Sequence, residues 1–289
     1  MAQVRSRRTG VRPSTAELKE IARQMRTDII KMTSAAGSGH PSSSLSMVEF
    51  LTVLYCGGEM RYDAENPKWE GRDRLILSKG HAVPGLYAAL MAAGILSRDL
   101  IPTLRRLGSI LQGHADMRFT PGIEASAGSL GQGLSIGIGH ALAARLDHRD
   151  YRVYVITGDG EIDEGQNWEA AMTANKYKID NLCLIVDRNN AQQTGWVPDV
   201  MPTDPLSKKF AAYGWNVVDI DGHNYDQVYE AFERARGTKG VPTAIVAHTI
   251  KGKGVSFMEK DYSWHGRVIE KPEMIEQALK EIETRDIGS

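Results

Sequence analysis

The sequence predicts an α/β fold: a parallel sheet of five or more strands with helices on both faces. Short apolar runs rich in β-branched residues recur at RLILS (74–78), RVYVIT (152–157), NLCLIVD (181–187), WNVVDI (215–220) and TAIVAHT (243–249). Helical patterns of about 10–20 residues separate most of them. The residues best suited to chemistry follow directly after these runs, where parallel sheets bind ligands.

In chain order, residues 1–14 come first. They hold four arginines and no acid. No apolar segment makes them a secretory signal, so a flexible Arg-rich tail is expected. Ser14 and Glu17 form a capping-box signature. Leu18, Ile21, Ala22, Met25 and Ile29 then repeat at helical spacing, which predicts a helix over about 15–34. Leu45, Val48, Leu51 and Leu54 predict a second helix over about 43–55. The five strands follow, with a glycine-rich helical stretch at 128–146 between the first two. The chain has 289 residues, 42% of them hydrophobic, enough for a large core. No repeat, low-complexity block or linker interrupts it, so residues 15–289 read as a single domain.

The net charge is −1, which gives no bias toward nucleic acid or an acidic surface. No stretch nears the roughly 20 apolar residues of a membrane span. Cys56 and Cys183 are the only cysteines. They make neither a disulfide framework nor a zinc set, which fits the reducing cytoplasm.

RLILS runs into Lys79-Gly80-His81-Ala82, RVYVIT into Gly158-Asp159-Gly160, LCLIVD into Arg188-Asn189-Asn190, and TAIVAHT into Lys251-Gly252-Lys253-Gly254. Glycines on both sides of Asp159 let the backbone turn sharply and approach a ligand. A helix pattern begins near Glu164, so free N–H groups would face the loop, which suits a diphosphate. An ordinary βα turn needs no second oxygen cluster. Here Asn189 and Asn190 supply one, with 28 residues between Gly160 and Asn189. One carboxylate, an amide oxygen, a backbone carbonyl and phosphate oxygens make an octahedral shell for Mg²⁺. Glu161, Asp163 and Glu164 are too many for so small a shell, so some of them pair elsewhere or face solvent. No Walker-type or dinucleotide glycine motif is present; GSLGQGLSIGIG misses the spacing. The glycines at 131, 133, 137 and 139 suit close helix packing instead, within the chain or across a subunit interface.

Of eight histidines, His40, His81, His114, His140 and His223 directly follow glycine, and His265 directly precedes one. A histidine on a loop end is poorly placed for a core. His40, His81, His114 and His265 are therefore candidates for acid–base and hydrogen-bonding work. No pair has zinc-like spacing. His140, within a helix, and His148, in a polar stretch, read as structural or surface residues.

Together these residues resemble a known family. GDG followed by NN is similar to the thiamine diphosphate-binding motif. KMTSAAGSGHP, RDRLILSKGHA, GHAD, PGIEASAGSLGQGLS, GDGEIDEGQNWEAA and WHG, in this order, resemble the N-terminal third of transketolase over roughly residues 15–270. In two-gene transketolases this region is a separate subunit. The resemblance implies the thiamine diphosphate-binding fold. It also implies a transferase of carbohydrate metabolism, such as the pentose phosphate pathway. Such an enzyme moves a two-carbon ketol unit from a ketose or its phosphate to an aldose or its phosphate, using thiamine diphosphate and Mg²⁺, or Ca²⁺ or Mn²⁺ in its place. The cofactor supplies the carbanion and electron sink, and the protein supplies orientation and proton transfer.

The resemblance further implies roles for matching positions. Asp159, Asn189 and the carbonyl of Ala191 would hold the metal. Gly158, Gly160, His81 and His265 would serve the diphosphate. Gly128 and Leu130 would meet the aminopyrimidine side. His40, His114 and His265, with His81 beside them, would hold and deprotonate substrate hydroxyls. Glu164 would link cofactor sites across the interface between subunits.

Two positions depart from the family. GHPS places Ser42 where GHPG is usual, and Gln193 stands where an apolar residue normally supports the bent cofactor. The resemblance includes neither the pyrimidine domain, with its activating glutamate, nor the basic residues that hold a sugar phosphate. A partner subunit carrying the pyrimidine and C-terminal domains is therefore expected, most simply in an α₂β₂ heterotetramer. The rival readings are a 1-deoxyxylulose-5-phosphate synthase-like chain, a chain like the α component of a 2-oxoacid dehydrogenase, and a non-catalytic homologue. The second would lack the SKGHA and WHG histidines. The full set of histidines and metal ligands argues against the third.

Overall fold

The computed structural model describes residues 12–288. The tail expected over 1–14 lies outside the described residues up to position 11; Arg12 stacks over the Tyr229 ring at 3.8 Å. Helix α1 (Thr15–Ala36) starts on the predicted capping box. The Glu17 N–H donates to Ser14 Oγ at 3.3 Å, and the Ser14 N–H donates to the Glu17 carboxylate at 2.8 Å.

The single helix expected over 43–55 is two, α2 (Pro41–Leu45) and α3 (Val48–Tyr55). At the break, Ser46 turns its hydroxyl to Asp187 at 2.6 Å. The apolar pattern hides this break because both pieces are buried throughout. There follow β1 (Arg74–Leu77), α4 (Val83–Ala92), α5 (Gln132–Leu146), β2 (Val153–Gly158), α6 (Gly165–Lys176) and β3 (Leu182–Arg188). A short hairpin, β4 (Ala191–Gln192) and β5 (Gly195–Trp196), leads to α7 (Val197–Val200) and α8 (Leu206–Ala212). The chain then runs through β6 (Asn216–Asp221), α9 (Tyr225–Gly237), β7 (Thr243–His248) and α10 (Pro272–Thr284).

The sheet order is β1-β2-β3-β7-β6, and every pairing is parallel. All five strands lie where the apolar runs predict them. Alternate side chains serve two cores. Tyr154, Ile156, Cys183 and Ile185 pack with α1, α3, α4 and α9. Val153, Val155, Leu184 and Val186 pack with α5, α6 and α8. Burial on both faces explains the unbroken apolar runs. Each such side chain contributes about 1.5–3 kcal/mol through removal from water.

The glycine-rich stretch is helical only from Gln132. Gly131 sits before it at φ 82°, and a Cβ there would meet Glu164 Cβ at 2.5 Å. Gly137 lets α5 lie against the sheet, because a Cβ would strike Val155 at 2.4 Å. Gly139 faces open space, so the packing expectation fails there within this chain. Among the described residues no helix is long and apolar enough to cross a membrane.

Candidate active site

The carboxyl ends of β1, β2, β3 and β7 open onto a cavity of about 480 Å³. His40, His81, His114 and His265 line it from four separate segments. The His40 ring lies 4.9 Å from His81, 5.5 Å from His265 and 6.5 Å from His114, centre to centre. Gly128, Leu130, Gly160, Glu164, Asn189, Ala191 and Gln193 line the same cavity. Gly158 and Asp159 are not among its lining residues: Gly158 ends β2, where its N–H donates to Glu161 Oε2 at 3.0 Å, and Asp159, only 2% exposed, follows it and precedes the lining residue Gly160. His148 is exposed and His140 is half-buried on α5, as their positions in the sequence suggest.

Local structure sets each side chain. His81 rides on a tight turn, Gly80–Ala82, directly after β1. His40 starts α2, and its carbonyl accepts from the Ser44 N–H at 3.2 Å and the Ser44 hydroxyl at 2.9 Å. The departure at Ser42 has a structural part. Its hydroxyl donates to the Trp264 carbonyl at 2.8 Å, and its own carbonyl accepts from the Gly252 N–H at 2.9 Å. Ser42 thus ties the helix behind His40 to the segments that carry His265 and Lys251.

The four crowded acids separate into two kinds. Asp163 and Glu164 are exposed, whereas Asp159 and Glu161 are buried. Glu161 accepts from the Ser78 hydroxyl and from the Gly131 N–H at 2.9 Å. Its burial pushes its pKa up. Asp159 accepts from the Gly160 N–H at 3.0 Å and the Asn190 N–H at 2.7 Å. Burial, and after it the charge of Asp187, raise Asp159 to about 7. Asp187, at the end of β3, is fully buried and pairs with Lys79. Burial alone would raise it, but Lys79 and the hydroxyls of Ser46 and Thr249 outweigh that and hold it below its usual value.

Sequence reasoning assigned no role to Lys79, Lys251 or Ser43. All three line the cavity, and both lysines are only 2% exposed. Lys251 Nζ donates to Ser43 Oγ at 2.9 Å and lies 3.4 Å from the Ala191 carbonyl. Among the described residues it has no carboxylate partner. Burial, then the charge of Lys79, lower it to about 7. The signal was present, since both lysines follow strands beside glycine, but a lysine there is ordinarily solvated.

Among the described residues, Asp159 and Lys251 are thus buried groups with no ion-pair partner, and each is close enough to feel the charge of the other. A divalent metal and a diphosphate would complement both, because each buried charge is costly until paired. Asn189 suits the same shell. Its Nδ2 donates to Asp187 at 3.1 Å, which fixes Oδ1 as the opposite end of the amide. Among the described residues no three His, Cys, Asp or Glu side chains could hold a metal together. The chain would thus offer one carboxylate and neutral oxygens, a pattern typical of Mg²⁺ shared with phosphates.

The imidazoles are built to stay neutral. Burial, then Arg105, His114 and Lys251, lower His40 to about 4. Burial, then Lys251, lower His265 to about 2. His81 is also held well below its usual value, first by burial and then by Lys79. A neutral ring keeps one nitrogen free to accept a hydroxyl proton. Nδ1 of His40 and Nδ1 of His265 are buried and have no hydrogen-bond partner among the described residues.

Residues 16–282 match the family described as transketolase, thiamine diphosphate binding domain. The chain is 44% identical over 267 residues to the 6-deoxy-6-sulfo-D-fructose transketolase subunit SqwG of Clostridium sp. (strain MSTE9), covering 92% of this chain and 96% of that protein. It is 41% identical over 260 residues to a subunit of the apulose-4-phosphate transketolase of Phocaeicola vulgatus, covering 90% and 92%. Against the crystal structure of transketolase from Campylobacter jejuni the TM-score is 0.88 at 33% identity, covering 94% of this chain but 43% of that one. The chain thus spans less than half the length of that longer enzyme. With a family match over most of its length, the chain belongs to the transketolase thiamine diphosphate-binding domain family.

Proposed function

We propose that this chain is the diphosphate- and metal-binding subunit of a two-subunit transketolase of the cytoplasm. Residues 15–289 act as one domain in this reading. The observation that carries it is that two buried charged groups, Asp159 and Lys251, have no ion-pair partner among the described residues, Lys251 lining the cavity with His40, His81, His114 and His265, and Asp159 directly preceding the lining residue Gly160.

Thiamine diphosphate, when bound, supplies the carbanion and the electron sink. The chain's own residues bind and orient. Asp159, Asn189 and the Ala191 carbonyl hold Mg²⁺. Lys251, Ser43, His81, His265 and Gly160 serve the diphosphate. Gly128 and Leu130 face the aminopyrimidine side. His40 and His114, with His265, hold substrate hydroxyls and take a proton from one of them. Neutral imidazole suits this work, provided that the bound anion raises its basicity. The substrates are a ketose donor and an aldose acceptor, with or without phosphate. The partner is a second chain carrying the pyrimidine domain, in an α₂β₂ assembly with Glu164 at the contact. The relatives of similar length are named as transketolase subunits, which favours this reading over the synthase-like and dehydrogenase-like ones.

The test is reconstitution. The chain alone should transfer no ketol unit in a coupled assay freed of host transketolase. A chain carrying the pyrimidine domain should restore transfer at fixed stoichiometry. Full turnover by the chain alone, or none with any such partner that binds it, would overturn the proposal.

A further inference from the structure

His223 is a glycine-following histidine that the cavity does not use. It is 6% exposed and lies between β6 and α9. Its Nε2 is 2.8 Å from the backbone nitrogen of Ile250, and its Nδ1 is 2.9 Å from Glu49 Oε2. A backbone N–H can only donate, so Nε2 is the acceptor and Nδ1 carries the proton, which it donates to Glu49. Glu49 is itself fixed on α3 by a buried ion pair with Arg26.

Ile250 immediately precedes Lys251. On the other side, the Gly252 N–H donates to the Ser42 carbonyl at 2.9 Å. The backbone of Lys251 is therefore held before and after. Strand β7 ends at His248, and the last ladder-like bond to β3 is the Thr249 N–H to the Arg188 carbonyl at 3.1 Å, so the Ile250 N–H itself is paired by His223 and not by the sheet. A buried ammonium with one hydroxyl and one distant carbonyl as partners depends on its backbone being in the right place.

We infer that His223 is a positioning residue: through the Ile250 N–H it sets the backbone that delivers Lys251 Nζ to the cavity. This rests on the reading that the cavity takes a diphosphate. Glu49 and Arg26 hold the imidazole, the imidazole holds Ile250, and Ile250 aims Lys251.

Two substitutions separate this role from plain core stability. A glutamine carbonyl reaches the place of Nε2 and can still accept from Ile250. Asparagine reaches only the place of Nδ1 and leaves the Ile250 N–H unpaired. In the complex with its partner chain, at saturating Mg²⁺, His223→Asn should weaken thiamine diphosphate binding by about 10–100-fold, the usual range for a residue that orients a ligand-holding group. His223→Gln should stay within about threefold of the wild type. In a Lys251→Met background, His223→Asn should cause almost no further loss, because coupled residues are not additive.

Equal losses in the two His223 variants, or an undiminished loss in the Lys251→Met background, would overturn the inference while leaving the site reading intact. A wild-type complex that binds no thiamine diphosphate would overturn both. Imidazole ¹⁵N shifts of the wild-type chain give a test that needs no variant complex. A protonated Nδ1 and an accepting Nε2 are expected at His223, and the reverse tautomer would overturn the inference.

Discussion

The backbone N–H of Asp159 donates to the carbonyl of Asp187 at 3.2 Å, so two buried carboxylates sit side by side at the ends of β2 and β3. Asp187 is neutralised by Lys79. Asp159 has no cationic side chain paired with it among the described residues. In the function proposed above, the two differ in work: Asp187 is held in an ion pair, and Asp159 is directed at the metal. Asp159→Ala should therefore weaken binding of thiamine diphosphate with Mg²⁺ to the assembled complex by more than about 100-fold. Fluorescence titration reads this directly. Unchanged affinity would remove Asp159 from the metal site.

Asp187→Asn tests the other carboxylate. The substitution keeps the shape but leaves the Lys79 ammonium buried without its counter-charge. Removing one partner of a buried pair typically costs about 3–5 kcal/mol. The guanidinium unfolding midpoint of the chain should fall accordingly. A change too small to measure would show that water or Ser43 already compensates Lys79.

Much of this was legible in the sequence, because the signals were local. Apolar runs marked the strands, and glycine beside His81, Asp159 or His40 marked turns whose residues His81, Gly160 and His40 line the cavity. What stayed hidden was long-range. Lys79 and Asp187 are 108 positions apart, and Lys251 and Ser43 are 208 apart. Nothing in either neighbourhood shows that the lysines are buried. Glu161 looked like one more acid in a crowded loop, yet it accepts from the N–H groups of Gly131, before α5, and Gly158, at the end of β2. His223 carried the same Gly-His signature as the cavity histidines. Only the fold separates it from them.

His40 and His114 are assigned to substrate rather than to the cofactor's diphosphate. Their alanine variants should bind thiamine diphosphate with nearly wild-type affinity. Turnover should drop by about 10²–10⁴-fold, the range for losing general acid–base help. Ketol-transfer kinetics beside cofactor titration separates the two effects. Full activity in both variants would return these histidines to a structural role.

The depressed histidines also make a prediction about stability. His40 is lowered from 6.5 to about 4, and His265 from 6.5 to about 2, in each case first by burial. In this range the unfolded chain binds protons at these positions and the folded chain does not. The stability they contribute is complete above 6.5 and is lost as the pH falls toward those lower values. Asp159, raised from 3.8 to about 7, acts in the opposite sense, since it takes up a proton in the folded chain first. The total slope of stability against pH therefore mixes both, and a comparison of variants isolates the histidines. As the pH drops from about 7 to 5, the cofactor-free wild type should lose stability relative to His40→Asn, and more so relative to a variant that also carries His265→Asn. Guanidinium denaturation at several pH values measures the difference. A difference that does not change with pH would mean that both rings reach water in the folded chain, and the neutral, proton-accepting state assigned to them would have to be given up.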